Sequence, residues 1–534
     1  MTKNGVVRQL IVAIGFSGIF AVPHAARAQQ RSDLPVDVAT ALPGLNVSSQ
    51  DTSGISADVM RTAIRRAMSV PGSSVLDSVA QGGTTTTAQD PAAPAQAAPA
   101  KPDPFAFADF TWLNGNPRNK KPTFDSPLFT LDLRVDANAT HSFNDPSDHT
   151  ITGSAELARS DELQVQQLGI GGDFHWDNVR ARLMTQFGLF SQLTPRNDGS
   201  LGRGQWLNSG DAYKYLAESY GGYHIDKMDG INIDFGIFMS YVGLFSYYNY
   251  DNWAYQPSYV SANTPWFFEG MRIQLFPTDK FKQEIWVING WQSYGMYFSE
   301  PGLGGQTLWR PNGSMSFLSN NYYGKDSAGN PDRRRFHTDN SATLKLYENK
   351  DSLMTRNAMS FTFDFGCEWG DGVVCTGGQP STAPLVAATA GANCLPCSQF
   401  FLGWMAYDRL WFDRDRLALT LGGGWINNPG RYLAILPVVN GATAVTGTPY
   451  FSENPGDQLR AWDWGATFDI MPSDYITFRW ETGYRHTNVP YWSGPGGVTP
   501  PGGNTGTPGI AVPGWTPDLV RSEYRLIFAM MVKL

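Results

Sequence analysis

The chain has 534 residues, enough for several domains or one very large one, yet only 16 % are charged, while 13 % are aromatic and 56 are glycine. A formal charge of −8 and a slightly negative mean hydropathy exclude a basic nucleic-acid surface. Past the N-terminus no apolar run approaches the roughly 18 residues of a membrane helix, but barrel strands alternate and escape any hydropathy window.

Residues 1–28 read as a secretory leader. Lys3 and Arg8 precede an apolar core from Leu10 to Val22, and Ala26-Arg27-Ala28 offers a cleavage site before Gln29. The core is short for an uncleaved anchor, so the mature chain is expected to work outside the cytoplasm. Residues 29–104 form a separate N-terminal periplasmic segment. Ile55, Val59, Met60, Ala63, Ile64, Ala67 and Met68 recur at helical spacing, opposite Arg61, Arg65 and Arg66. One short amphipathic helix is expected there, either marginal in a disordered tail or docked on the barrel mouth or a partner. The Ala/Pro-rich stretch 84–104 is a linker. The folded domain is placed at 105–534, its first strand starting between Phe105 and Pro127.

From Ser126 onward a two-residue period keeps returning, the mark of strands with one apolar face. Phe129, Leu131, Leu133 and Val135 alternate with Thr130, Asp132, Arg134 and Asp136; Val179, Ala181 and Leu183 with Arg180, Arg182 and Met184. The pattern recurs at 231–239, 359–364, 462–470 and 476–485, and closes the chain as Tyr524, Leu526, Phe528, Met530, Val532 and Leu534. Tilted membrane strands need roughly 9 to 11 residues, and these runs come close. Short turns at 177–178, 228–230, 277–279, 348–351, 413–415 and 471–474 alternate with long polar stretches near 191–212, 242–264, 292–334, 366–398, 427–457 and 487–519. Tight periplasmic turns and long outer loops predict an all-β, transmembrane antiparallel barrel. One opening strand, six hairpins and a closing strand give about fourteen strands, with segment 313–323 assigned to a loop; sixteen is the alternative.

A basic residue facing lipid at mid-membrane costs about 2–4 kcal/mol, which fixes the register. Asp132, Arg134, Asp136, Arg180, Arg182, Asp234, Arg272, Asp364, Arg479, Glu481, Arg485, Arg521, Glu523 and Arg525 are therefore expected to line the lumen. A barrel of this width fills with water unless a loop folds in, and a wall of mixed sign implies passive diffusion of small polar solutes or ions. The competing reading pairs these charges in an occluded lumen, Arg479 with Glu523 for example. Such a barrel would serve as an adhesin or surface scaffold through its long loops.

Cys367, Cys375, Cys394 and Cys397 fall in one segment of an exported chain, which suggests two local disulfides with three pairings open. The Cys394-Leu-Pro-Cys397 spacing resembles a metal ligand pair, but the wide spacing of the other two and the lack of a nearby histidine leave no metal site. No zincin motif, nucleophile elbow, phosphate loop or dinucleotide fingerprint is present, so neither a cofactor nor an enzymatic activity is expected. Arg335, His337 and Asp339 share one strand face, and a hydrogen-bond network is preferred there over a catalytic site. A hydrolase with non-contiguous Ser and His is the least favoured alternative. Trp253, Tyr255, Trp266, Trp286, Trp291, Trp404, Trp411, Trp425, Trp480 and Trp492 supply candidates for interfacial girdles, with a sugar-stacking slide as the lesser alternative.

Early stretches of the barrel, Phe110–Arg118, Ser160–Leu163 with Leu168–His175, and Arg180–Gly188, and three later ones, Ile288–Trp291, Asn427–Tyr432 and Arg479–Arg485, resemble the putative beta-barrel porin-2 family (OmpL-like) of Gram-negative outer membranes. The resemblance spans roughly 105–534. It implies an outer-membrane porin that meets outer-membrane lipid, lipopolysaccharide and the barrel-assembly machinery, and it carries over no catalytic residue. Many such barrels end in an aromatic residue read during assembly, whereas this chain ends in Leu534. Porins commonly form homotrimers, although no residue here demonstrates it.

Overall fold

The structure is a computed structural model that describes residues 121–534, apart from 201–208, 297–299, 328–329, 385–392, 432–434 and 505, together with Pro104–Ala106 and Leu113. The leader, the helical stretch at 55–68 and all but the last residue of the linker lie outside the described residues. No helix among them is long and apolar enough to cross a membrane.

Sixteen antiparallel strands close into a barrel. They are β1 Phe129–Ser142, β2 Glu162–Trp176, β3 Val179–Thr185, β4 Leu216–Ile225, β5 Ile231–Met239, β6 Phe267–Thr278, β7 Phe281–Ile288 and β8 Gly302–Asn312. The second half comprises β9 Met315–Gly324, β10 Arg334–Glu348, β11 Met354–Trp369, β12 Phe400–Phe412, β13 Leu417–Asn427, β14 Arg460–Ser473, β15 Ile476–Thr487 and β16 Ser522–Lys533. Each strand pairs with its neighbours in sequence, and β16 closes on β1 with Val135 opposite Val532 and Ala139 opposite Phe528. Closure leaves no open edge, as a lipid-embedded sheet requires.

The burial is inside out. Phe235 is 60 % exposed, while Asp234 beside it is fully buried. On β1 the buried positions are Asp132, Arg134, Asp136, Asn138, Thr140 and Ser142. A soluble sheet would hide the opposite face. Only an apolar surround stabilises this arrangement, because the exposed ring of Leu, Ile, Phe and Trp has no protein against it.

Two strands sit where the sequence suggested a loop. Segment 313–323 is not a loop: it holds the turn Gly313–Ser314 and all but the last residue of β9, and β8 enters with it as the other arm of the hairpin. Adding the segment alone would break parity; adding a hairpin preserves it and keeps the cysteine loop on the long-loop side. The count is therefore sixteen. The outward row of β8 mixes Gly305 and Thr307 with Leu303 and Trp309, so its alternation is dull.

Candidate functional site

The connection from β5 to β6, residues 240–266, folds into the lumen. Its short 3₁₀ turn, Asn249–Asp251, and helical turn, Tyr259–Ala262, are almost wholly buried. Charged and polar side chains of β1, β4 and β12–β16 hold it, the Tyr248 hydroxyl donating to Glu218 at 2.7 Å. Asp136 accepts from the Tyr255 hydroxyl at 2.8 Å and from Asn249 Nδ2 at 3.0 Å. Glu481 accepts the backbone N–H groups of Tyr255 and Gln256 at 2.6 and 2.8 Å, one on each oxygen. Asp463 accepts from the Ser258 hydroxyl and the Tyr259 N–H at 2.8 and 2.7 Å. The loop's carbonyls are met by arginines: Arg479 reaches Asn252 at 2.8 Å, Arg409 reaches Trp253 at 3.1 Å and Arg485 reaches Pro257 at 2.6 Å. Arg525 donates to the Gln256 side chain, and Arg134 pairs with Asp251 at 2.7 Å. The wall thus supplies partners for a buried irregular backbone whose polar groups would otherwise be left unpaired.

Small residues make room for the insert. A Cβ built on inward-facing Gly424 would lie 2.5 Å from Ser258 Oγ and 2.6 Å from the Trp404 carbonyl oxygen. Ile527, Ala529 and Met531, on the inward face of β16, pack against Tyr250 and Tyr255.

The wall of β1–β7 carries a ladder of opposite charges. Arg182 bridges Asp132, Asp173 and Glu218 at 2.8, 2.8 and 2.9 Å. Asp234 sits between Arg272 at 2.8 Å and Arg180 at 3.3 Å, and Lys282 pairs with Glu284 at 2.7 Å. The Asp173 side chain is 51 % exposed and that of Arg180 30 %, against 1 % for Arg479 and 0 % for Asp469 beside the insert. A cavity of about 520 Å³ at the β2–β3 turn is lined by Asp173, Arg180 and His224 and also by the outward Phe174, Trp176 and Val179, so it sits at the rim of the wall. The exposed part of the ladder is therefore its end at the β2–β3 turn.

The expected lumen residues accordingly divide. Arg134, Asp136, Arg479, Glu481, Arg485 and Arg525 hold the insert, whereas Asp132, Arg180, Arg182, Asp234 and Arg272 build the ladder. Asp364 lies opposite Asp339 between strands and is fully buried. Arg521 precedes β16 and is exposed at its rim. The expected Arg479–Glu523 pair does not form: Arg479 stands opposite Ala529 and chelates Asp469 at 2.6 and 2.9 Å, while Glu523 stands opposite Arg485 and pairs with Arg525. Tyr407, Arg409, Asp463 and Asp469 belong to the wall and were not singled out. Asp463 and Asp469 do occupy alternating positions of β14. On β12 the outward row is interrupted by Asp408, to which Asn357 donates, and this masks the inward row carrying Tyr407 and Arg409.

Most of the girdle candidates face inward. Trp253, Trp286, Trp411, Trp492 and Tyr255 are buried, with Trp253 edge-on to Trp411 and Tyr241 stacked on Trp286. Trp404 and Trp480 point out, as does Trp425, which lies between Trp404 and Trp462 across three strands. The cysteines are paired locally, Cys367 with Cys375 and Cys394 with Cys397. His337 is enclosed by the rings of Trp291 and Phe401 at 5.0 and 5.6 Å, and neither ring nitrogen has a hydrogen-bond partner. Arg335 engages Glu368 instead, and Asp339 accepts from Asn320. The polar cluster expected around His337 is not assembled.

A greasy exterior, a charged interior and one outer loop folded across the lumen define an outer-membrane β-barrel of the porin class. The chain belongs to the family described as putative beta-barrel porin-2, OmpL-like, whose model matches residues 129–533. No curated protein matches it. Among solved structures it is similar to OmpT, an outer membrane protein of Vibrio cholerae, at 8 % identity over 77 % of this chain and 99 % of that one. It is also similar to an anion-selective porin from Comamonas acidovorans (10 %, 76 % and 99 %) and to the channel DcaP of Acinetobacter baumannii (13 %, 77 % and 99 %). The TM-score is 0.40 in all three, so the assignment rests on the family match and on the barrel itself.

Proposed function

We propose that the barrel is a non-catalytic channel for passive diffusion of small polar solutes. One observation carries this reading: Asp173 and Arg180 stay half-exposed on the inward face, while the charges facing the insert are consumed by it. Desolvated ion pairs add little stability, so a wetted ladder of both signs is better suited to holding water and polar solutes in a pore. Asp132, Arg182 and Arg272, with side chains 11, 11 and 13 % exposed, and the fully buried Asp234 form the paired remainder of the ladder behind Asp173 and Arg180. Outer-membrane lipid, lipopolysaccharide and the barrel-assembly machinery are the partners of this reading, and a homotrimer is the assembly to test by crosslinking. Refolded protein in a planar bilayer should give discrete conductance steps. Their absence at every salt concentration would favour the scaffold reading, which the dense packing around Asp469 supports: Arg409 and Arg479 meet it with side chains at most 1 % exposed.

A further inference from the structure

The apolar outer belt of the barrel is broken on one side. Across β7, β8, β9 and β10 the outward residues Gln283, Thr307, Ser319 and Asn340 stand opposite one another in a single cross-strand row. In the next row Asn321 stands between Gly305 and Thr338. Apolar residues flank the two rows, with Phe281, Trp309 and Phe317 toward the short turns and Leu303 and Tyr323 toward the long loops. The patch therefore lies within the hydrocarbon belt, where β5 by contrast turns out Ile231, Ile233 and Phe235.

Hydrocarbon offers an amide no hydrogen-bond partner, so the groups of the patch have only what the sheet supplies. The sheet supplies part. Thr307 donates to Gln283 Oε1 at 2.7 Å, Ser319 to Asn340 Oδ1 at 2.7 Å and Asn340 Nδ2 to Thr338 at 2.9 Å. Gln283 Nε2 reaches the Glu284 carbonyl at 3.1 Å, and Asn321 Nδ2 only grazes Ser319 at 3.5 Å. Each side-chain amide carries two N–H groups. Among the described residues, one N–H of each of these three amides and the Asn321 side-chain oxygen have no partner. A Cβ on Gly305 would meet nothing closer than the Glu284 carbonyl oxygen at 3.5 Å, so packing within this chain does not call for glycine there. Its missing side chain leaves a dimple beside Asn321.

We propose that this face of β7–β10 docks on the same face of a second copy of the chain. Gln, Asn, Ser and Thr donate and accept at once, so the patch complements itself. It holds no charge, whereas Asp408, on the outward row of β12 beside Asn357, offers a carboxylate that the patch has no cation to meet. Copies inserted in one orientation bring their patches to the same height when a two-fold axis along the membrane normal relates them. Such an isologous contact closes at two copies. The unbonded amide groups then gain partners, and the Gly305 dimples let the two sheets approach. The inference requires the barrel to sit in a membrane but not to conduct.

Cysteine crosslinking tests it. The two disulfides take up all four native cysteines, so an introduced thiol has no native thiol to join. Ser319→Cys is oxidised in outer-membrane fragments from cells making the full chain, with Phe235→Cys, outward on β5, as the control. S319C should give a covalent band at twice the chain mass, about tenfold or more stronger than that of F235C, and the linked peptide should hold position 319 twice. Adding G305L, which fills the dimple, or N321L should cut the band about tenfold, the scale of one lost hydrogen bond. Heat-induced gel mobility checks that each variant is folded. A band no stronger than the control's, a band linking a different protein, or a yield unmoved by both G305L and N321L overturns the inference. Conductance without pairing sinks this inference alone; pairing without conductance sinks the channel reading alone.

Discussion

The inserted loop is held by acceptors for its N–H groups and by donors to its carbonyls, and Glu481 is the acceptor whose loss can be worked through. In wild type its two oxygens take separate N–H groups, from Tyr255 at 2.6 Å and Gln256 at 2.8 Å, and one also accepts from the Thr467 hydroxyl. Glu481→Gln keeps one acceptor oxygen and turns an NH2 group on the other N–H. One charge-assisted bond is lost and a buried donor is orphaned, which costs about 1.5–3 kcal/mol. That shifts the balance between docked and undocked loop by roughly 10- to 150-fold. Asp463 supports the next residues of the loop, so E481Q/D463N should lose up to about twice as much; the two sites are close, and strict additivity is not expected. The barrel should survive, because the ladder hydrogen bonds of β14, β15 and β16 are untouched. The assay is single-channel recording at fixed salt: E481Q should add brief, larger sublevels, and the double variant should occupy them for longer. Current levels and noise identical to wild type in both variants would refute the argument that these carboxylates hold the loop.

Gly424→Ala attacks the same contact from the wall, since its Cβ would lie within 2.6 Å of a backbone oxygen as well as of Ser258 Oγ; it should raise conductance while strand content by circular dichroism stays unchanged. Asp148 ties the first outer loop to the last by accepting the Val498 N–H at 2.9 Å, and it accepts the Thr150 N–H at 3.1 Å. Burial raises its carboxyl, but hydrogen bonds from Thr499, Val498 and Thr150 outweigh this and hold it below 3.8. Its folded value being depressed, the contribution is full above pH 3.8 and lost as pH falls through the lower folded value; hydrogen exchange at 494–498 should accelerate there in wild type and already at neutral pH in D148N. Cys367 and Cys375 close a loop of sequence separation 8. Chain-entropy arguments give such a crosslink about 2.5 kcal/mol. Reduction should expose 370–379 to protease while the barrel keeps its heat-resistant gel mobility.

Much of the barrel is legible because lipid imposes a strict rule on every second residue. The C-terminal strand shows it: Tyr524, Leu526, Phe528, Met530 and Val532 face out, and Glu523, Arg525 and Lys533 face in. The rule weakens wherever the outward row is small or polar. Gly305 and Thr307 blur β8, Ser319 and Asn321 blur β9, and Asp408 breaks the row of β12. A glycine facing lipid costs little, and wherever one stands in the outward row the period fades. The tryptophans mislead for a related reason. A ring that suits an interface also suits a lumen packed around an insert, and composition does not distinguish Trp480, which faces lipid, from Trp253, which does not.

The insert is harder to see because its partners are remote. Asp136 and Tyr255 are 119 positions apart, Glu481 and Gln256 are separated by 225, and Arg525 and Gln256 by 269. No local period records such contacts. What the sequence does record is their cost: residues 240–266 carry a dense run of tyrosines, tryptophans, asparagines and serines, with no lysine or arginine and only Asp251 before the strand resumes. An outer loop bathed in water has no need of so many aromatic rings. A segment that fills a charged lumen needs rings for bulk, amides and hydroxyls for the wall, and almost no charge of its own, because each added charge would require another partner in a place where water is scarce. Lysine introduced at Ala254, 3 % exposed and with Arg409 bonded to the carbonyl of the preceding Trp253, should therefore eject the segment or prevent assembly. The same substitution at Val445, 48 % exposed on the β13–β14 loop, should leave heat-resistant mobility and conductance as they are. If both variants assembled and conducted alike, the loop would have to lie outside the lumen.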